Sequence, residues 1–93
     1  MSNNLTLSQH ACQVYRAVCE HKDWIRAKPA AKKADVLERT TRKWLEELSR
    51  KGVLEQARTP GGFHYRLEKN PTDEAKELMR RLHDLEAIYG EDK

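Results

Sequence analysis

The sequence predicts a mainly α-helical fold with a small β-hairpin, and three observations within residues 36–68 support this. The first is a stripe at i, i+3, i+4 and i+7, the spacing of one helix face, formed by Thr41, Trp44, Leu45 and Leu48. The second is Gly52 directly after Arg50 and Lys51, because cations followed by glycine are typical of a helix C-terminus. The third is a tight-turn signal, Pro60-Gly61-Gly62, between two β-prone segments.

Length and composition predict one domain of residues 1–69 followed by a C-terminal amphipathic helix within residues 70–93. No apolar run approaches the ~20 residues that a membrane span needs, and the N-terminus lacks a signal-peptide layout. We therefore expect a cytoplasmic protein with no membrane partner. Residues 22–69 hold 13 Lys and Arg against 7 Asp and Glu, whereas residues 70–93 hold 4 against 7. The basic middle favours a polyanionic partner, although a solvated surface would show the same excess.

The segment before the stripe is expected to contribute two helices and a short strand. A first helix over about 8–22 places one apolar face at Ala11, Val14, Tyr15 and Val18. Trp24 and Ile25 are β-prone and can join the hairpin as a third strand. Pro29 is expected at the first position of a short helix, and Asp35 in the turn after it.

The two strands of the hairpin are expected at 53–57 and 63–67. In the second, Phe63, Tyr65 and Leu67 alternate with His64 and Arg66, the period of a half-buried strand. The three apolar residues should therefore face the core. The two polar residues should face solvent or a ligand.

The last helix has apolar residues spaced 3-4-3-4, at Ala75, Leu78, Leu82, Leu85 and Tyr89. That spacing is typical of the a/d seam of a coiled coil, although two heptads do not prove one. We predict that this seam forms a homodimer contact. The alternative is that it packs against the first helix of the same chain.

Residues 28–67 resemble the winged helix-turn-helix family of bacterial and phage regulators, such as the MarR-like and GntR-like groups. The resemblance rests on the alanine-containing helix, the turn, the stripe, the Lys51-Gly52-Val53-Leu54 exit and the glycine-tipped hairpin. Asp35 and Thr41 depart from it, because glycine and an aliphatic residue are usual there. The resemblance implies a small transcriptional regulator that binds double-stranded DNA. Its recognition helix, about 38–51, would enter the major groove, and its wing, 57–64, would contact the adjacent groove or the backbone.

The resemblance and the helical wheel together nominate ten DNA-contacting residues. On the recognition helix, Arg39 and Arg42 are assigned to base edges, because a guanidinium can hold guanine O6 and N7 together. The residues assigned to phosphates or to the backbone are Thr40, Lys43, Lys28, Lys32 and Lys33. The residues assigned to the wing are Arg58, which would touch a minor groove or a phosphate, and His64 and Arg66, which would support it.

Other functions are weighed against DNA binding. Pairs such as Arg42 and Glu46 occur on any solvated helix, so the basic residues could serve solubility alone. A winged helix can also act as a protein-interaction adaptor, here through the C-terminal helix. An enzyme is not expected, since Cys12 and Cys19 have no histidine at a suitable spacing. We expect no metal, cofactor or small-molecule substrate.

Overall fold

Four helices and one three-stranded antiparallel sheet make up the part of the chain that the computed structural model describes, residues 9–90, with side chains described up to residue 85. The elements are α1 (Gln9–His21), β1 (Ile25–Arg26), α2 (Ala27–Ala34), α3 (Glu38–Arg50), β2 (Leu54–Thr59), β3 (Gly62–Leu67) and α4 (Asp73–Gly90). The predicted class, mainly α-helical with a small hairpin, is therefore confirmed. The first residue predicted for α1, residue 8, lies outside the described residues.

The sheet has the order β1-β3-β2, so β3 is its central strand. The hairpin strands β2 and β3 pair antiparallel over six residues each. β1 adds two residues, with Ile25 opposite Tyr65 and Arg26 opposite His64. The predicted third strand is confirmed with a shift of one residue, because Trp24 precedes it.

A tight turn at Asp35 joins α2 to α3. Asp35 has φ 60° and ψ 46°, a left-handed conformation that favours glycine but that aspartate tolerates. The Val36 N–H donates to the carbonyl oxygen of Ala31 at 3.1 Å, which closes the end of α2. Because α2 begins at Ala27, Pro29 occupies its third position and not the predicted first. That position is still in the first turn, where a backbone N–H has no acceptor within the helix.

The hydrophobic core lies between the helices and one face of the sheet. The predicted stripe of α3 is confirmed, because Thr41, Trp44, Leu45 and Leu48 are all buried. Thr41 is completely buried, and its hydroxyl has no hydrogen-bond partner within the described residues.

The apolar side of α4 packs against α1 and closes the same core. Ala75, Leu78 and Leu82 are buried, and Leu85 is half-buried against them. The Tyr15 hydroxyl and His83 Nε2 share a 2.9 Å hydrogen bond across the two helices. These leucines therefore pack within the chain. This is the alternative that was set against the predicted dimer seam. The side chain of Tyr89, also assigned to that seam, lies outside the described residues.

The prediction that Phe63 faces the core is wrong, because its side chain is 45% exposed. Tyr65, on the same face of β3, is buried, and Leu67 is half-buried. The alternation of β3 correctly places Phe63, Tyr65 and Leu67 on the same face of the sheet. The hairpin extends past the edge of the core, however, so the residue nearest its tip has no core to enter.

Candidate nucleic-acid interface

The outward side of α3 carries the residues predicted to contact bases. Its buried stripe fixes which side points inward, and Arg39, Arg42 and Lys43 are all exposed. Thr40 is half-buried. Since successive helical residues are ~100° apart, Arg39 and Lys43 project nearly opposite the stripe. Arg42 lies on the flank that faces the hairpin.

Arg42 is held by a carboxylate on its own helix. Its Nη2 and Nε donate to Oε2 of Glu38 at 2.7 Å and 3.2 Å. The sequence suggested Glu46, one turn after Arg42, as the partner. The observed partner, Glu38, lies one turn before it. The two paired side chains are 65% and 41% exposed, and an exposed pair at this spacing contributes about 0.3–0.5 kcal/mol. A stronger acceptor could therefore replace Glu38.

The other two cations of α3 are less constrained. Arg39 makes no ion pair with any residue that the structure describes. The ammonium of Lys43 lies 5.7 Å from the centroid of the Trp44 ring, a weak cation–π contact at an exposed site. Both side chains can thus reach an external anion at little cost.

A groove of about 260 Å³ separates α3 from the β2–β3 hairpin, and we call it the hairpin groove. Three cations line it, Arg26, Lys28 and Arg42, together with the carboxylates of Glu38 and Glu46. The cations come from β1, α2 and α3. The fold therefore brings together positive charges from elements that are separated in the sequence.

A second, larger concavity of about 590 Å³, the α2–α3 depression, lies where these two helices meet. Lys28, Lys32 and Thr40 line it, beside the exposed side chain of Leu37. Lys28 and Glu38 line both concavities. The depression and the hairpin groove are therefore parts of one continuous surface.

The sequence analysis did not select Arg26, which the structure places in this surface. Its Nη2 donates to the carbonyl oxygen of Gly61 at 3.1 Å, which ties the hairpin tip to the start of α2. Alternation after Ile25 could have indicated that Arg26 points away from the core. Nothing in the sequence gives its distance from a tip 35 residues later.

The predicted contacts fall into two groups on α2 and α3. Lys28, Lys32, Thr40 and Arg42 line the two concavities. The rest are exposed but line neither of them: Lys33, Arg39 and Lys43.

Arg58 lies opposite Phe63 across the two hairpin strands, so both side chains project on the same face of the sheet as Tyr65. The Arg58 guanidinium lies 5.9 Å from the centroid of the Phe63 ring. Phe63 also lines the hairpin groove. The predicted cation of the hairpin is therefore held at the edge of that groove.

His64 and Arg66 project on the opposite face of the sheet. His64 Nδ1 shares a 3.1 Å hydrogen bond with the Thr59 hydroxyl, which also donates to the Gly62 carbonyl oxygen at 2.9 Å. Arg66 Nε donates to Glu55 at 2.9 Å across the hairpin. Both side chains therefore make contacts within the hairpin, and their part in DNA binding stays a prediction.

The chain matches no protein-family model, no curated protein and no solved structure. Within residues 9–85, no cluster of three or more His, Cys, Asp or Glu side chains could hold a metal ion. No helix in the described part of the chain is long and apolar enough to cross a membrane. Within the described residues, the strongest candidate site is the surface where α2, α3 and the hairpin meet, which four cations and three carboxylates line.

Proposed function

We propose that the fold is a winged helix-turn-helix and that the protein binds double-stranded DNA as a small transcriptional regulator. The element order, two helices joined by a tight turn and followed by a hairpin, supports the fold. The main support for the function is the continuous surface on which cations from β1, α2 and α3 meet beside the hairpin. An α-helix fits the major groove of B-DNA, where each base pair presents its own pattern of donors and acceptors.

In this proposal α3 enters the major groove. Arg39 and Arg42 contact base edges, since a guanidinium can bind guanine at two atoms. Binding guanine in this way is worth about 1–3 kcal/mol of discrimination, more than the exposed pair of Arg42 with Glu38 contributes. Thr40 and Lys43 contact phosphates on either side.

Elements around α3 fix its position on the duplex. Contacts to phosphates set register and orientation but carry no sequence information. The residues assigned to them are Lys28, Lys32 and Lys33 of α2, together with Arg26. Arg58 contacts the adjacent minor groove or a phosphate from the wing. His64 and Arg66 keep the wing rigid without contacting DNA.

A symmetric site would need two copies of the chain, with half-sites about 34 Å apart. We retain a homodimer as part of the proposal but do not assign its contact to Ala75, Leu78 and Leu82. Because α1 covers these residues, a second copy could reach them only if α4 detached. The adaptor function considered as an alternative relied on the same covered face, so no contact favours it over DNA binding.

The test is a titration of a labelled random-sequence duplex pool, with binding measured by fluorescence anisotropy. We expect binding at about 50 mM salt, and an affinity about 10³-fold lower at about 200 mM if roughly six phosphates are neutralised. Arg39→Ala should weaken binding. Arg80→Ala is the matched control, because Arg80 is exposed on α4 and pairs there with Glu77. The proposal fails if no duplex binds at low salt, or if the two variants weaken binding equally.

A further inference from the structure

The most exposed large apolar side chain within residues 9–85 is that of Leu37, which is 78% exposed. Leu37 is the residue immediately before α3, and its carbonyl oxygen accepts the first hydrogen bond of that helix, from the Thr41 N–H at 2.9 Å. It makes no side-chain cap, and it contributes little to the core. Its neighbour Val36 is half-buried and packs against the core. The side chain of Leu37 is therefore available to a ligand.

The surroundings of Leu37 combine an apolar centre with two lysines that can bind anionic groups. Ala31, Val36 and Leu37 form an apolar centre in the α2–α3 depression. Lys28 and Lys32 line the same depression and are exposed. The carboxylates of Asp35 and Glu38 line it as well, but Glu38 is paired with Arg42, which leaves two cations against the single carboxylate of Asp35. In the major groove of DNA, the 5-methyl group of a pyrimidine is apolar and is flanked by phosphates.

We infer that Leu37 contacts a pyrimidine 5-methyl group, that of thymine or of 5-methylcytosine, at the N-terminal end of α3. The inference rests on the proposed function, because the end of a recognition helix reaches deepest into the groove. Apolar side chains recognise the thymine methyl by contact, and 5-methylcytosine presents the same group at the same place. Leu37 thus determines specificity by burying a methyl group, whereas Lys28 and Lys32 bind the flanking phosphates whatever the base.

The size of the effect follows from the apolar surface buried. One methyl group removed from water corresponds to about a fourfold change in affinity. The effect is smaller than that of a two-point guanine contact, so it must be measured on matched duplexes that differ by a single methyl group.

The experiment starts from duplexes selected by the full chain from a random pool. Each thymine of a selected duplex is replaced in turn by deoxyuridine, and each cytosine by 5-methylcytosine. We expect at least one position where loss of the thymine methyl weakens binding about fourfold, or where a methyl added to cytosine strengthens it as much. The two arms distinguish the two bases.

Three variants separate apolar contact from other causes. Leu37→Ala should make the methylated and unmethylated duplexes bind equally, and Leu37→Met should keep the difference. Lys32→Ala, in the same depression, should weaken both duplexes by the same factor. A change in DNA stiffness caused by the methyl group would persist in Leu37→Ala.

The outcomes also separate this inference from the proposed function. Binding without a methyl effect, or a methyl effect that survives Leu37→Ala, overturns the inference and leaves DNA binding intact. If the full chain selects no duplex, both fail, and an acidic protein segment becomes the better match for the depression.

Discussion

The guanidinium of Arg66 lies 4.3 Å from the centroid of the Trp24 ring, on the face of the sheet that points away from the core. Trp24 precedes β1, and Arg66 lies on the central strand and also pairs with Glu55 of β2. One planar cation therefore connects the segment before β1 to both strands of the hairpin. Trp24 itself is half-buried beneath this arginine.

Arg66→Ala should lower the free energy of unfolding by about 1 kcal/mol, because a cation–π contact and a partly buried ion pair are lost together. Urea denaturation followed by tryptophan fluorescence measures this. Arg80→Ala, which removes an exposed ion pair on α4, should leave the urea midpoint unchanged. If Arg66→Ala kept full stability but weakened DNA binding, Arg66 would be a DNA contact.

Arg42→Ala should cost about 1–3 kcal/mol on the preferred duplex and relax base choice at one position. Glu38→Gln should have the opposite effect on affinity, since it removes a carboxylate that competes for the same guanidinium. Both are measured by titrating selected and randomised duplexes. An equal loss on every sequence in Arg42→Ala would make Arg42 a phosphate contact instead.

Thr41→Val should stabilise the fold by about 1 kcal/mol, because it replaces a buried hydroxyl that has no partner among the described residues by a methyl of similar size. Thr72→Val is a control of opposite sign. The Thr72 hydroxyl accepts a hydrogen bond from the Ala75 N–H at 3.2 Å, and loss of such a cap costs about 1 kcal/mol. Thermal denaturation of both variants checks the pair. A Thr41→Val variant that melts at a lower temperature would show that the Thr41 hydroxyl makes a stabilising hydrogen bond.

Leu82→Ala should destabilise the monomer by about 2–5 kcal/mol, because Leu82 is fully buried between α4 and the rest of the core. Sedimentation velocity at several concentrations, together with urea denaturation, tests this. We expect the fold to weaken and the oligomeric state of the folded fraction to stay the same. A folded variant of full stability that has lost a wild-type dimer would instead place the seam between two chains.

The helices and strands could be predicted from periodicity, because burial imposes it residue by residue. Leu45 and Leu48 point inward as the 3.6-residue repeat requires, and Tyr65 is buried as the alternation of β3 requires. Phe63 shows the limit of that reasoning. Alternation specifies a face of the strand but not how far along it the core extends.

The candidate site was less predictable than the fold. Lys28 and Arg42 line one groove only because the turn at Asp35 sets how α2 crosses α3, and periodicity does not contain that angle. The seam of α4 has a similar ambiguity. An apolar stripe indicates that the helix face is covered. Leu78 and Leu82 would have the same spacing whether α1 or a second chain covered them.

The contact from Arg26 to the Gly61 carbonyl oxygen fixes the hairpin tip to the start of α2, in addition to the pairing of β1 with β3. The next residue along the chain is the first of α2, so a rotation of that helix would carry the loop at the hairpin tip with it. The width of the hairpin groove is thus coupled to the tilt of α2. Shortening the side chain at position 26 would therefore release the hairpin tip from the helix and would also remove one of the cations assigned to phosphates.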